Sequence, residues 1–379
     1  MKKLILSALV ISTLIACNEA NFKKNEQEKG FTINVELSGV KDSTYLFLNN
    51  PNLGILDSAM VINEKFQFDG KLEKEPVGLF INTSSNETTD FILKYILIGN
   101  ENVTIKSSKK DFQYTTNVKG SKYHDIENKK NQLLKDLNQE FDILITKLKN
   151  INEIDPVKID SIYNHLMTKL NKIDSIKKVK TLQFIKNNPK TYTSINELYY
   201  LKDEISREEL KKLFQNFPKD IQESENGINI NTILNTKLVN IGDTYVDFTA
   251  KDIEGNEITF SDLKSKKYTL IDFSTAYCGP CVQSVPELKE IAENYKDNLE
   301  IVTFSGDENE KYMKAAHKRD NFPWKTLWDG KGHNSETIIA YQVKGFPTFC
   351  LIDEEGKIVD QWFGYGKGSL KKKMNTYFK

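Results

Sequence analysis

Tyr268-Thr-Leu-Ile-Asp-Phe-Ser-Thr-Ala-Tyr-Cys-Gly-Pro-Cys281 is the stretch on which the reading of this 379-residue chain turns. Tyr268–Phe273 is a compact apolar run of strand length, and Val282–Tyr295 carries helical spacing with Pro286 inside it. The thiol pair Cys278 and Cys281 therefore follows a strand and opens a helix. Thiolate, not thiol, attacks a disulfide, and the unpaired amides and dipole of a helix N-terminus stabilise the thiolate. Two intervening residues let the second sulfur reach the first, closing an intramolecular disulfide and releasing a bound partner. By position Cys278 is the exposed attacking thiol and Cys281 the buried resolving one. Half of a zinc site is the competing reading, and no second Cys/His pair stands at ligand spacing.

Cysteine usage supports a reactive pair. The other cysteines are Cys17 and Cys350. An exported chain that used disulfides as staples would spread more of them along its length. A bond that closes so short a loop restricts the unfolded chain little. Cys350 lies in the apolar run Thr348–Ile352 and reads as a buried, inert thiol.

The flanking segments continue the β/α alternation. Glu300–Ser305 reads as a strand, Asn309–Asp320 as a helix, and Thr348–Ile352 with Ile358–Trp362 as a hairpin turning at Asp353-Glu-Glu-Gly356. A final helix is predicted at Ser369–Phe378. Alternation of this kind suits a central mixed sheet flanked by helices.

Toward the N-terminus the texture changes twice. Between Ser121 and about Leu238, Leu133, Leu134, Leu137, Phe141, Leu144, Ile145 and Leu148 fall at three-four spacing. Ile159, Ile162, Tyr163, Leu166, Leu170, Ile173 and Ile176 do so after Asp155-Pro156. Two long amphipathic helices in a hairpin are expected, their apolar stripes serving packing. Ser206-Arg-Glu-Glu209 opens a third helix with a capping-box pattern. From Phe31 to about Lys119, Phe31–Leu37, Thr44–Leu48, Lys65–Asp69, Val77–Asn82, Phe91–Leu97 and Val103–Lys106 read as strands between turn-formers, which suits a small antiparallel sandwich or barrel.

The first residues bear on destination. Met1-Lys2-Lys3 precedes an apolar stretch, Leu4–Ala16, which is too short for a stable span of roughly 20 residues and has the form of a secretory signal. Leu14-Ile15-Ala16-Cys17 resembles the lipobox of bacterial lipoproteins, which implies a lipid on Cys17. Acyl chains at roughly 0.8 kcal/mol per buried methylene would anchor the chain without a transmembrane helix. Residues 17–30 then form a solvated tether to a folded part outside the cytoplasm, periplasmic or facing the outer membrane. Lys plus Arg equals Asp plus Glu at 53 each, so a strongly basic nucleic-acid binder is excluded.

The segment Tyr268–Cys281 resembles the active-site segment of thioredoxins. Val246-Asp-Phe-Thr-Ala-Lys-Asp252 with Ile258–Leu263 looks like the hairpin entry of the TlpA/ResA branch of that fold. Gly345-Phe346-Pro347-Thr348 is similar to that family's cis-proline site. Residues 31–120 look like a β-domain of unknown function found ahead of thioredoxin domains in bacterial lipoproteins. The resemblance implies a multidomain chain with an N-terminal antiparallel β domain, a central α-helical hairpin region over 121–238 and an α/β thioredoxin-like fold over 239–379. It implies that Cys278 and Cys281 form the redox-active disulfide, that Asp272 is the buried aspartate accepting a proton from Cys281, and that Tyr277, Phe346 and Pro347 meet the substrate.

Three departures stand out. Tyr277 replaces the tryptophan usual before the first cysteine, Ser284 stands where the branch commonly has a glutamate, and Thr303 lies near the place of the lysine that pairs with the aspartate.

Extracytoplasmic reduction of protein disulfides is the implied activity, with protein thiols and disulfides as partners and a membrane thiol as electron donor. Exported cysteines awaiting haem attachment are among the implied clients. No cofactor or metal is expected. Two alternatives remain: a thiol peroxidase, because Thr275-Ala-Tyr-Cys278 echoes a Thr-x-x-Cys pattern, and a binding lipoprotein with a non-catalytic thioredoxin-like domain.

Overall fold

The computed structural model describes residues 30–378, apart from 51–52, 75, 84–90, 116 and 152–158. The signal, Cys17 and nearly all of the tether lie outside the described residues, as does the Asp155-Pro156 step. The chain divides into two compact units, the division falling after Asp136.

The first unit is built from β1 (Phe31–Ser38), β2 (Tyr45–Asn50), β3 (Gly54–Met60), β4 (Lys65–Gly70), β5 (Val77–Asn82), β6 (Leu93–Ile98), β7 (Asn102–Ser108) and β8 (Val118–Lys119). They form two four-stranded sheets, ordered β4-β1-β7-β8 and β3-β2-β5-β6. Alternate residues of β1 (Phe31, Ile33, Val35, Leu37) share one core with Leu46, Leu48, Leu79, Ile81, Ile96 and Ile98 of the other sheet, as half-buried strands require. One pairing departs from the antiparallel expectation: β1 and β7 run parallel, Thr32 opposite Asn102 through Ser38 opposite Ser108. Five strands separate them in the chain, and a connection that long can return a strand in the same direction. β3 is not among the strands expected from sequence; its burial shows no clean alternation and Ile55 is exposed.

The two long helices are α1 (His124–Lys149) and α2 (Ile159–Asn187). Leu144, Leu166, Leu170 and Ile173 pack together with Leu137, Phe141, Ile145, Leu148 and Ile162 around them, while Tyr163 and Ile176 face solvent. A compact helical cluster follows: α3 (Tyr192–Tyr200), α4 (Arg207–Phe214), α5 (Lys219–Gln222) and α6 (Glu225–Asn235). Ser206 caps α4 by accepting from the Glu209 amide at 3.2 Å. α6 escapes pattern reading because its first turn holds Gly227, where a Cβ would stand 2.3 Å from the Gln222 carbonyl oxygen. Tight packing, not propensity, selects that glycine.

The C-terminal sheet contains β9 (Thr249–Lys251), β10 (Glu257–Thr259), β11 (Tyr268–Ser274), β12 (Leu299–Ser305), β13 (Thr326–Trp328), β14 (Thr348–Asp353) and β15 (Ile358–Phe363), ordered β10-β9-β13-β12-β11-β14-β15. β11 runs parallel to β12 and antiparallel to β14. The helices of this part are α7 (Gly279–Asn294), α8 (Glu310–Asp320), α9 (Glu336–Ala340) and α10 (Ser369–Tyr377). Ile271 and Phe273 enter one core with Phe304, Tyr341 and Cys350. Leu270 enters the opposite core with Leu288 and Ile291 of α7. A strand buried on both faces reads as a continuous apolar run, which is why the sequence locates β11 so readily.

α10 begins at Gly368 without a side-chain cap of its own. Glu287, buried on α7, supplies one: it accepts from the Gly368 amide (2.8 Å), the Lys371 amide (2.7 Å) and the Tyr365 hydroxyl (2.8 Å). Burial alone would raise the Glu287 carboxyl, but these donors outweigh it and hold it below the ordinary glutamate range. A depressed carboxyl contributes stability above its unfolded pKa and loses it as the pH falls. Glu287→Ala is therefore expected to cost about 2–3 kcal/mol at neutral pH, with the difference from the parent narrowing toward pH 3. Denaturant unfolding across that range checks it, and curves that stay parallel would sink the assignment.

Candidate active site

β11 ends at Ser274, and the chain leaves the sheet through Thr275-Ala276-Tyr277 before α7 begins. Cys278 is the N-cap of α7: its sulfur accepts from the Cys281 amide at 3.1 Å, and Pro280 sits in the first turn. Proline suits that place because the first amides of a helix have no intrahelical partner. Cys278 and Cys281 are joined in a disulfide. Cys278 is half-buried and Cys281 only 3% exposed, whereas Tyr277 stands 81% exposed beside them with its ring edge-on to Tyr312.

The antiparallel register sets Phe273 opposite Thr348, which brings Pro347 alongside Ser274 at the same end of the sheet. The Phe346–Pro347 peptide is cis and Pro347 is buried. The Pro347 carbonyl accepts from the Gly364 amide at 2.8 Å. The Phe346 ring lies against Gly306, and the exposed His333 ring is 5.3 Å from it. Asn334, next to His333, accepts from the Tyr199 hydroxyl of α3 at 2.7 Å. The helical cluster thus buttresses the loop that flanks Phe346.

Asp272 shares the α7-facing side of β11 with Leu270 and is 2% exposed. Its Oδ2 accepts from the Thr303 hydroxyl at 3.2 Å, and Thr303 accepts in turn from the Trp324 indole N–H at 3.0 Å. An indole nitrogen only donates, so the Thr303 proton is directed to Asp272. Asp272 Oδ1 has no partner among the described residues. Burial raises the carboxyl, Thr303 partly offsets that and the nearby Asp320 charge adds to it, leaving it at about 7. A group poised there takes up or releases a proton near neutral pH.

Ser284, in the place of the expected glutamate, is buried and turns its hydroxyl onto the Cys281 carbonyl at 2.7 Å. Cys350 is buried in β14, and burial pushes its thiol far up. Among the described residues no helix is long and apolar enough to cross a membrane.

Residues 241–361 match the AhpC/TSA family, and residues 31–126 match a domain of unknown function, DUF4369. The thiol-disulfide oxidoreductase ResA of Bacillus cereus is 33% identical over 125 residues, covering 33% of this chain and 70% of that relative. The chain belongs to the ResA family of thiol-disulfide oxidoreductases. The thioredoxin-like protein YneN of Bacillus subtilis is 32% identical over 117 residues, which are 30% of this chain and 66% of that protein. The thioredoxin domain of a thiol-disulfide oxidoreductase from Bacteroides vulgatus is 29% identical, covering 37% of this chain and 99% of the solved one at a TM-score of 0.34.

Three residues near this pair escape the sequence reading: Trp324, which donates to Thr303, and Asp307 and Arg319, which hold the Ala276 N–H and carbonyl. None sits in a local motif. Trp324 follows a helix end, Asp307 lies just beyond β12, and Arg319 is one of several basic residues in the last turn of α8. Only their through-space partners mark them.

Two outcomes follow from the Asp272 environment. A carboxyl raised from about 3.9 unfolded to about 7 folded makes the native state hold the extra proton, so stability falls as pH rises through that window. Asp272→Asn should therefore unfold later than the parent at pH 8 by on the order of a few kcal/mol, with the gap closing toward pH 4. Equal midpoints at both pH values would contradict this. Thr303→Val removes the donor to Oδ2, so the Asp272 carboxyl should titrate above its parent value. Carboxyl carbon NMR reads that shift, and an unmoved titration would refute the relay from Trp324.

Proposed function

We propose that the chain is a lipid-anchored, extracytoplasmic reductase of protein disulfides, working through Cys278 and Cys281. The observation that carries this reading is the asymmetry of the pair: Cys278 is half-exposed at the N-terminus of α7, and Cys281, three residues on, is buried. Cys278 thiolate attacks one sulfur of a substrate disulfide, forming a mixed disulfide and releasing the other sulfur as thiolate. Cys281, its proton taken by Asp272, attacks the Cys278 sulfur. The protein disulfide closes and the second substrate thiolate leaves. Tyr277, Phe346 and Pro347 hold the substrate backbone beside the pair.

Each turnover oxidises the enzyme by two electrons, so a membrane thiol donor must return them outside the cytoplasm. A lipid on Cys17 keeps the chain where that donor is. Exported proteins whose cysteine pairs must be reduced, as haem attachment requires, are the client class.

Cys281→Ser should accumulate a mixed disulfide with protein substrates through Cys278, and Cys278→Ser should abolish turnover. The equilibrium potential of the pair fixes direction. A value near roughly −270 mV supports the reductase, and one near −120 mV makes the chain a disulfide donor. Peroxide turnover with no protein-disulfide turnover would instead favour the thiol peroxidase.

A further inference from the structure

Ala276 separates β11 from Tyr277 and Cys278, and charged side chains hold both of its backbone groups. Its N–H donates to Asp307 Oδ1 and Oδ2, each at 3.1 Å, and its carbonyl accepts from Arg319 Nη1 at 2.7 Å. Hydrogen bonds to ionised groups are roughly twice as strong as neutral ones.

Both holders are themselves fixed. Asp307 is buried, accepts from the Ser305 hydroxyl at 2.8 Å, and its carbonyl accepts from the Trp328 indole. Arg319 makes a two-point pair with Asp320, Nε to Oδ1 at 2.6 Å and Nη2 to Oδ2 at 2.7 Å, which leaves Nη1 aimed at Ala276.

The same segment reaches the other half of the site. The Gly306 amide donates to the Ser274 carbonyl at 2.8 Å, and a Cβ at Gly306 would stand 2.4 Å from the Phe346 ring. Ser305-Gly306-Asp307 therefore contacts both the entry to the cysteine pair and the residue before the cis-proline. Stabilisation of a thiolate by a helix N-terminus fades within the first turn, so the position of the Cys278 sulfur matters on the scale of a bond length.

We propose that Asp307 and Arg319 are positioning residues that clamp Ala276, hold the Cys278 sulfur at the N-terminus of α7, and so keep that thiol acidic and reactive. The inference rests on Cys278 being the attacking thiol. A plain charge effect makes a different forecast. Loss of the Asp307 carboxylate would by its field alone make Cys278 more acidic, whereas loss of the clamp makes it less so.

The test is site-resolved alkylation of the reduced full-length chain by iodoacetamide across pH, read at Cys278 and Cys281 by mass spectrometry, with thermal unfolding alongside. Arg319→Ala and Asp307→Ala should both raise the Cys278 midpoint, by about one pH unit, and slow its alkylation at neutral pH. Asp307→Asn, which keeps an oxygen for the Ala276 amide, should move it less and serves if Asp307→Ala does not fold. Arg319→Lys should recover part of the shift. Opposite signs for Arg319→Ala and the Asp307 variants, or lowered unfolding midpoints with an unmoved Cys278 titration, would overturn the clamp. Preferential alkylation of Cys281 in the parent would instead remove the attacking-thiol reading on which it rests.

Discussion

β11 is buried on both faces, and a strand so placed has no solvated side on which to carry chemistry. Leu270, Ile271 and Phe273 fill the two cores, and the reactive groups are pushed to the strand's carboxyl end, where the chain leaves the sheet. The turn from strand to helix must satisfy the open amides of α7, and Cys278 does so with its sulfur. With Cys278 as the proposed attacking thiol, capping and activation become one interaction, because the amide that needs an acceptor is the amide that would lower the energy of its thiolate. The Ala276 backbone just ahead of that sulfur is held on both sides, by Asp307 and by Arg319.

Asp272 is the exception inside the strand, and it is an expensive one. A carboxyl shut away from water with one donor, Thr303, and an orphaned second oxygen favours its neutral form. In the proposed reaction its position on the α7-facing side, on the strand that leads into the cysteine pair, suits it to take the proton of Cys281 during resolution. Trp324 and Thr303 set which way the donor points, so the carboxyl is held by a directed hydrogen bond and not by an ion pair.

Much of this was legible in the sequence, and for identifiable reasons. β11, the following helix, the β14–β15 hairpin and the long helices all carry strong periodicity or continuous apolar runs; the ends of the strands and of α7 fall within a few residues of those expected, whereas α1 begins well before its apolar stripe and α2 runs well beyond its own. The cysteine pair, Asp272 and Pro347 sit in a local pattern that short spacing preserves. Thr303 is placed near Asp272 only through the thioredoxin resemblance, and in the structure the two stand opposite each other across the parallel pair β11 and β12. Asp307, Arg319 and Trp324 could not be placed, because each meets the site across a distance that no local pattern encodes. The parallel β1–β7 pair failed for the same reason: strand direction is decided by the connection, and not by the residues of the strand. α6 failed differently, its Gly227 being chosen for a close approach that outweighs its poor helix propensity.

The chemistry and its selectivity have different structural addresses. Disulfide exchange as proposed uses the α7 N-terminus, the buried carboxyl and the proline loop, all within the C-terminal sheet and its helices. The neighbourhood of Phe346 is not so self-contained. His333 lies against it, and the loop bearing His333 is tied through Asn334 to Tyr199 of α3. A helical segment added ahead of the thioredoxin-like sheet therefore shapes the approach to the cis-proline without touching the sulfurs. On the proposed reading, substitutions at Tyr199 or His333 would act on which polypeptide can lie along Phe346–Pro347, while those at Ala276's two holders would act on the thiol itself. Such a separation would let one reactive pair be kept unchanged while the helical segment altered the proposed clients.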